Sequence, residues 1–265
     1  MFAKLLLSLL LALCVSAAMA AVPQTVFLEE LTWTELREAI QAGKTTIIVP
    51  IGGTEQSGPI IALGKHNARV KVLATRIAQA LGNALVAPVM AYVPEGNISP
   101  PTEHMRFPGT ITMPPATFEQ MIEYAARSFR AHGFTYVVLL GDHGGYQKSL
   151  LATAERLNKQ WASTGARVLP VPEYYRAATD DFDRILKQRG FSADEIGVHA
   201  GLADTALTLA TEPRLVRADL LGQRVGPADG VQGDPHRATA ELGQAGVDAI
   251  VTRTVEAIRK ATARK

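Results

Sequence analysis

The residues of this chain that are best suited to hold a metal lie in or beside its glycine- and proline-rich connections. The histidines are His66, His104, His143 and His199, and the carboxylates that accompany them are Glu55, Glu103, Asp142 and Asp204. One loop histidine is more often a structural hydrogen-bond donor than a ligand, but four of them beside four carboxylates favour a shared site. Imidazole and carboxylate without thiolate is the ligand set of hydrolytic Zn²⁺ or Mn²⁺ sites.

The composition narrows the class of protein further. Cys14 is the only cysteine and lies in a segment that we expect to be removed, which excludes a thiolate metal site, a disulfide framework and a cysteine nucleophile. The net charge is +2, which becomes 2 − 1 = +1 when Lys4 is lost, and basic residues cluster only in the C-terminal tail. A nucleic-acid partner is therefore not expected.

The first twenty residues have the pattern of a cleavable signal peptide. Lys4 precedes an apolar run over residues 5–15, and residues 18–20 form a small-x-small cleavage site. The apolar run is too short to cross a bilayer comfortably. We predict a signal peptide over residues 1–20, export of residues 21–265 to the periplasm or the medium, and no stable membrane anchor. An uncleaved anchor is the alternative.

Strands alternate with helices along the rest of the chain. The predicted strands cover residues 45–49, 84–93, 136–140 and 168–171, and the predicted helices cover residues 33–42, 69–81, 116–131, 149–163, 180–188, 203–212 and 238–263. This alternation predicts an α/β fold, one domain with a mainly parallel sheet flanked by helices. Ligands bind beyond the carboxyl ends of such strands. Segments 53–66 and 141–146 should therefore meet at one rim of the sheet.

Six short motifs follow one another over most of the mature chain. They are PIGGTEQSGP at residues 50–59, LGKHN at 63–67, HMRFPGT at 104–110, GDHGGY at 141–146, HAGLADT at 199–205 and GVQGDP at 230–235. In the same order they resemble the motifs P-x-G-S-x-E-Q-H-G-P, L-G-T-D-T, H-x-x-F-P-G-T, N-G-H-G-G-N, H-A-G-x-x-E-T and G-V-x-G-D-P of the creatininase family, the creatinine amidohydrolases. The resemblance implies the creatininase fold, metal-dependent hydrolysis of a small amide by an activated water, and a homo-oligomer.

Creatininases hold two divalent metals, and the resemblance carries their ligand positions onto this chain. Glu55 and His143 keep the ligand identity, His66 stands in place of a bridging aspartate, and Ser57 replaces a histidine ligand. A neutral imidazole offers one nitrogen where a bridging carboxylate offers two oxygens. We therefore expect a single Zn²⁺ or Mn²⁺ per chain, held by Glu55, His66 and His143. Asp204, at a family glutamate, is a further metal ligand, a hydrogen-bond partner of a ligand, or a helix N-terminal charge.

The resemblance also implies roles around the metal. His199 matches a family histidine that moves a proton to the leaving nitrogen, a task for which the pKa range of imidazole is suited. A helix cap or a structural hydrogen-bond donor is the alternative for His199. The predicted substrate-binding residues are Ser57, His104, Asp142, Gly144, Gly145 and Tyr175. Gly144 and Gly145 let the backbone approach a ligand closely or only form a tight turn, and Tyr175 lines a pocket or packs in the core.

Two other functions stay open beside the leading hypothesis of an exported, metal-dependent hydrolase of a small amide, cyclic amides included. A non-catalytic periplasmic protein could keep the fold and bind a metal or a small solute, which the changes at Ser57 and His66 would allow. A serine hydrolase that uses Ser57 would need a nucleophile elbow, and residues 55–58 do not have the G-x-S-x-G form.

Overall fold

The computed structural model describes residues 24–263, and the predicted signal peptide over residues 1–20 lies outside the described residues. The strands are β1 (Thr46–Ile51), β2 (Ala84–Val86), β3 (Tyr136–Gly141) and β4 (Arg167–Pro170). The helices are α1 (Trp33–Gln41), α2 (Lys65–Leu81), α3 (Pro115–Ala131), α4 (Gln147–Gln160), α5 (Pro172–Arg176), α6 (Phe182–Gln188), α7 (Ala193–Ile196), α8 (Leu202–Thr211) and α9 (Ala240–Thr262). Within this described range, every helix is too short or too polar to cross a membrane.

The four strands form one parallel sheet in the order β2-β1-β3-β4. All six residues of β1 are buried, as expected for a central strand that helices cover on both faces. Ile48 and Val138 point to the face covered by α2, α5, α6, α8 and α9, whereas Ile47 and Val137 point to the face covered by α1, α3 and α4. The predicted α/β fold with a parallel sheet between helices is confirmed.

The first strand runs two residues beyond its predicted end at Val49. Pro50 cannot donate a ladder hydrogen bond, which usually confines proline to edges and strand ends. Here the carbonyl of Pro50 accepts from the backbone of Met90 at 2.9 Å, on the side where β2 has already ended. A proline at this position therefore costs no hydrogen bond between neighbouring strands, and β1 extends to Ile51 at the rim of the sheet.

Helix α2 begins at Lys65, four residues before the predicted start at Arg69. The residue before it is Gly64, which has no side chain to cap the helix, so the sequence lacks the usual signal for a helix start. The earlier start has one consequence for the site. His66, predicted in a connection between elements, lies in the first turn of α2, where its orientation is fixed by the helix.

The second strand is shorter than predicted, since β2 ends at Val86 and not near Val93. The following segment keeps two isolated parallel bridges, from Met90 to Ile51 and from Val93 to Thr112. These bridges hold the start of the long loop against the carboxyl end of β1. Residues 94–96 are thereby brought to the same rim of the sheet as the loop after β1.

A small apolar cluster fixes the loop after β1. Ile60 and Ile61 pack against Ala200, Val216 and Val231. Backbone hydrogen bonds reinforce this contact, and Ile61 forms an antiparallel bridge with Val216. The segment that carries residue 55 and the segment that carries residue 199 are therefore held against each other.

Candidate active site

The loops that follow β1 and β3 converge on one carboxylate. Glu55, four residues after β1, has no exposed surface, and its Oε2 lies 3.2 Å from Nε2 of His143. Its Oε1 lies 2.8 Å from Nε2 of His66 and 3.3 Å from Nζ of Lys65. Burial raises the pKa of Glu55, but the charges of Lys65 and His66 outweigh burial and hold it well below its usual value. The two oxygens of Glu55 therefore face different surroundings.

Four side chains, one of them that of Glu55 itself, could share a cation. They are Glu55, Glu95, His104 and His143, whose donor atoms all lie within 4.8 Å of one another. Glu95 is 1% exposed. Three of their carboxylate oxygens have no hydrogen-bond partner among the described residues: both oxygens of Glu95, and Oε2 of Glu55. Buried carboxylate oxygens without partners are costly unless a proton or a cation serves them.

The electrostatics of this group fit a divalent cation. Burial, reinforced by the charge of Glu55, raises the pKa of Glu95 to about 10. Burial lowers the pKa of His143 to about 3 against the opposing charge of Glu55, and burial lowers the pKa of His104 as well. The site thus combines neutral imidazoles with carboxylates that need a positive charge. That donor set suits Zn²⁺ or Mn²⁺.

His66, predicted as a metal ligand, has both of its ring nitrogens engaged by carboxylates. Nε2 lies 2.8 Å from Oε1 of Glu55, and Nδ1 lies 2.6 Å from Oδ2 of Asp142. Burial lowers the pKa of His66, but the charge of Glu55 and the hydrogen bonds to both carboxylates outweigh burial and raise it. A ring with a hydrogen on each nitrogen has no lone pair for a metal.

Asp204, also predicted as a candidate ligand, has internal partners for both oxygens. Oδ2 accepts from Nζ of Lys65 at 2.7 Å and from the backbone of Ala200 at 2.9 Å, and Oδ1 accepts from Nη1 of Arg69 at 2.8 Å. Burial raises the pKa of Asp204, but Lys65 and Arg69 outweigh burial and hold it well below its usual value. Asp204 therefore binds two basic side chains of α2 and one backbone N–H in front of α8, in whose first turn it lies.

Asp142, predicted to bind substrate, uses both oxygens inside the protein. Oδ2 accepts from Nδ1 of His66 at 2.6 Å and from Nε of Arg69 at 2.8 Å, and Oδ1 accepts from the hydroxyl of Tyr174 at 2.5 Å. The residue borders the cleft but is 3% exposed. Its carboxylate therefore holds His66 and Arg69 in place and has no oxygen directed to a ligand.

Gln56 joins His104 and His199 to the loop after β1. Its Nε2 lies 3.1 Å from Nδ1 of His104, and its backbone carbonyl accepts from Nε2 of His199 at 2.9 Å. A carbonyl only accepts, so this hydrogen bond requires a hydrogen on Nε2 of His199, and in that tautomer Nδ1 of the neutral ring has the lone pair. That Nδ1 lies 3.6 Å from Oε1 of Glu55. Burial, together with the charge of Lys65, lowers the pKa of His199 to about 4.

A cleft of about 330 Å³ opens beside these histidines. Its wall includes Gly144, Tyr175 and His199. A Cβ atom on Gly144 would lie 2.6 Å from Oη of Tyr175, and one on Gly145 would lie 2.9 Å from the ring of His143. The two glycines therefore allow a closer approach than any other residue would. The volume is that of a small-molecule site.

Ser57, predicted to contact substrate, is fully buried, and its Oγ has no hydrogen-bond partner among residues 24–263. It is absent from the part of the cleft wall that the structure describes. A serine nucleophile needs a base within hydrogen-bond reach. The position of Ser57 thus gives no support to a serine hydrolase.

Sequence reasoning missed Glu95, Lys65, Arg69 and Gln56. Glu95 stands between Pro94 and Gly96, so an acid in a proline–glycine turn was the available signal. Lys65 and Arg69 are four residues apart, so the available signal was two basic residues on one face of a helix. That signal becomes visible only when α2 is taken to begin at Lys65. His104, predicted to bind substrate, lines the cleft and also belongs to the group that could hold a cation.

The protein-family comparison decides the relationship of this chain. The family model described as creatininase, creatinine amidohydrolase, matches residues 29–258. The chain belongs to the creatininase family. Creatinine amidohydrolase of Pseudomonas putida is 28% identical over 207 residues, covering 74% of this chain and 75% of that protein. The mycofactocin precursor peptide peptidase of Mycolicibacterium smegmatis is 27% identical over 221 residues, covering 75% of this chain and 78% of that protein.

Solved creatininase structures share the fold. A crystal structure of creatinine amidohydrolase matches with a TM-score of 0.76 at 23% identity and covers 90% of this chain and 98% of its own. Creatininase with Mn matches with a TM-score of 0.75 at 25% identity, covering 90% and 99%. A creatininase mutant of Zn–Zn type matches with a TM-score of 0.74 at 24% identity, covering 90% and 98%. The fold that positions the candidate site is therefore the creatininase fold.

Proposed function

We propose that this creatininase-family hydrolase is metal-dependent and cleaves the C–N bond of a small amide, cyclic amides included. The observation that carries the proposal is the group of Glu55, Glu95, His104 and His143, where buried carboxylate oxygens without partners lie beside neutral imidazoles. The names of the relatives, an amidohydrolase and a peptidase, support the same reaction class.

These four side chains would hold one Zn²⁺ or Mn²⁺ ion. His66 and Asp204 are left out of the set because their polar atoms are engaged by other side chains. A bound divalent ion would lower the pKa of a water molecule and polarise the carbonyl of the amide. The solved creatininases named for Mn and for Zn–Zn support either metal.

His199 would move the proton. Its pKa of about 4 leaves the ring neutral near pH 7, so Nδ1 can accept the proton of the water that attacks the carbonyl carbon. The same Nδ1 then delivers this proton to the leaving nitrogen as the C–N bond breaks. The hydrogen bond from Nε2 to the carbonyl of Gln56 keeps the ring in the orientation that this transfer needs.

The cleft would select a small molecule. A volume of about 330 Å³ lies at the lower end of the range for small ligands. Gly144 and the hydroxyl of Tyr175 narrow it from one side, close to the histidines that act on the amide. An extended peptide would have to leave most of its length outside.

A non-catalytic protein that binds a metal or a small solute is the second candidate. The observation that favours it is the loss of two family ligands, since Ser57 and His66 stand where the family has a histidine and an aspartate. The two candidates differ in turnover, because a binding protein would show affinity for an amide without product.

We also infer export and self-association. Residues 1–20 carry the signal-peptide pattern, so N-terminal sequencing of the protein from the periplasm or the medium should start at Ala21. The family relationship supports a homo-oligomer. Light scattering of the mature protein at micromolar concentration should give a mass of several chains.

The proposal is tested with purified mature protein, measured for bound metal and for hydrolysis of a panel of small linear and cyclic amides. We expect bound Zn²⁺ or Mn²⁺ and turnover that a chelator abolishes and the metal restores. His143→Ala should remove both metal and turnover. His132→Ala is the matched control, because His132 is exposed at the end of α3.

Absence of bound metal together with unchanged activity in His143→Ala would end the hydrolase proposal. Bound metal without turnover of any amide, with tight binding of one of them, would instead favour the non-catalytic candidate.

A further inference from the structure

Helix α2 directs three basic side chains into the interior from its first five residues. Lys65 is 0% exposed, His66 4% and Arg69 3%. The acids that receive them are Glu55, Asp142 and Asp204. Basic residues are unfavourable at a helix N-terminus, because the backbone dipole is positive there. This cluster of bases therefore needs a reason beyond the stability of the helix.

Lys65 lies between two carboxylates. Its Nζ is 2.7 Å from Oδ2 of Asp204 and 3.3 Å from Oε1 of Glu55. A buried ammonium is costly to strip of water and persists only where acids surround it. A positive centre between carboxylates from two segments is also the arrangement that a bridging metal ion would have.

The two oxygens of Glu55 face two different groups of side chains. Oε2 faces the imidazoles of His104 and His143 and has no partner among the described residues. Oε1 faces Lys65 and His66. One side of the carboxylate is therefore free for a metal ion, and the other side is already served by the protein.

The residues that differ from the family motif add positive charge to the site. Where the family motif reads L-G-T-D, this chain has Leu63, Gly64, Lys65 and His66. Threonine to lysine adds one positive charge, and aspartate to histidine removes one negative charge, so the change is at least 1 + 1 = +2. The positive charge gained is no smaller than that of one divalent ion. Ser57, at the family's histidine ligand, has no hydrogen-bond partner in the described part of the chain.

We propose that Lys65, supported by Arg69, replaces a second divalent ion and limits this site to one ion per chain. The inference rests on the proposed function, because it presupposes an ion on the Oε2 side of Glu55. Lys65 is a positioning residue in this account. It fixes Glu55 and Asp204 in the way that a second ion would, and it occupies the space that such an ion needs.

The test counts zinc per chain by elemental analysis after dialysis against buffered zinc, and by calorimetric titration. Wild type should bind one ion. The triple variant Ser57→His, Lys65→Thr, His66→Asp restores the family pattern and should bind two. Lys65→Arg keeps the charge and should bind one. Lys71→Thr is the matched control, because Lys71 is on the same helix, is half-exposed, and contacts Glu29 at 3.5 Å and the ring of Phe27.

Two ions in wild type, or in Lys65→Arg, would overturn this inference and leave the proposed function intact. One ion in a triple variant that circular dichroism shows to be folded would also overturn it. If the triple variant does not fold, the counts for wild type and Lys65→Arg decide the question. No bound ion in wild type would overturn the proposed function, and this inference with it.

Discussion

Replacing Glu95 with glutamine should stabilise the protein when it is free of metal and destabilise it when metal is present. In the metal-free state the folded pKa of Glu95 is about 10, against 4.5 without the surrounding protein. A raised carboxyl pKa means that the stability contributed by this group is complete below pH 4.5 and is lost as pH rises toward 10. Glutamine has a similar shape and no charge to lose.

The size of the effect follows from the pKa difference. Between the unfolded and the folded pKa, each pH unit lowers the free energy of unfolding by about 1.4 kcal/mol. From pH 4.5 to pH 7, Glu95 therefore lowers it by about 3 kcal/mol. Metal-free Glu95→Gln should therefore exceed wild type by about 3 kcal/mol at pH 7 and match it at pH 4. For a domain of this size, that difference is roughly 6–12 °C in Tm.

The assay is urea unfolding of chelator-treated protein between pH 4 and pH 8, repeated with excess zinc at pH 7. With zinc, wild type should become the more stable protein, because a ligand that binds only the folded state adds to its stability. Glu155→Gln, at an exposed position of α4, is the control. If wild type and Glu95→Gln lose the same stability between pH 4 and pH 7, Glu95 is not a buried carboxylate in need of a cation.

Three further substitutions test the rest of the site. His199→Ala should lower kcat by about 10²–10⁴-fold with unchanged metal content, and a loss of metal would place His199 among the ligands. Gly144→Ala should raise KM, because its Cβ would lie 2.6 Å from Oη of Tyr175. Adding Tyr175→Phe should restore KM. A KM that stays raised in the double variant would show that the contact with the Tyr175 hydroxyl is not the cause. Arg69→Met should lower the free energy of unfolding in urea by about 3–5 kcal/mol. Arg127→Met, at an exposed ion pair, should lower it by less than about 1 kcal/mol. Equal losses in the two variants would contradict a stabilising role of the buried network.

The fold could be predicted because its signals are local and repeated. The apolar runs at β1 and β3 and the helical periodicity of α3 reflect burial on both faces of a sheet, and they appear in the sequence at the right places. The rule that ligands bind beyond the carboxyl ends of parallel strands then placed residues 53–66 and 141–146 together. Glu55 and His143 lie at that rim in the structure.

The group of residues that could hold a metal ion was harder to predict, because it depends on contacts between distant segments. Glu95 and Glu103 both lie in the long loop near glycine or proline, and these neighbours do not indicate which of the two acids faces Glu55. The bridges from Met90 to Ile51 and from Val93 to Thr112 bring Glu95 to Glu55. Such pairings follow from the tertiary path of the loop and have no periodic signature in the sequence.

The role of His66 depended on where one helix begins. Taken as a loop residue, it is a reasonable metal ligand at a family ligand position. Placed in the first turn of α2, it points between Glu55 and Asp142 and binds both. Gly64 gives no capping side chain, so the position of this boundary, and with it the chemistry of the histidine, was decided by packing.

The most direct test of the central claim is a crystal structure of the zinc-loaded protein with anomalous diffraction data at the zinc edge. The account predicts one anomalous peak per chain, about 2.0–2.2 Å from donor atoms of Glu55, Glu95, His104 and His143. A peak bound to His66, a second peak beside Lys65, or no peak at this rim of the sheet would contradict it.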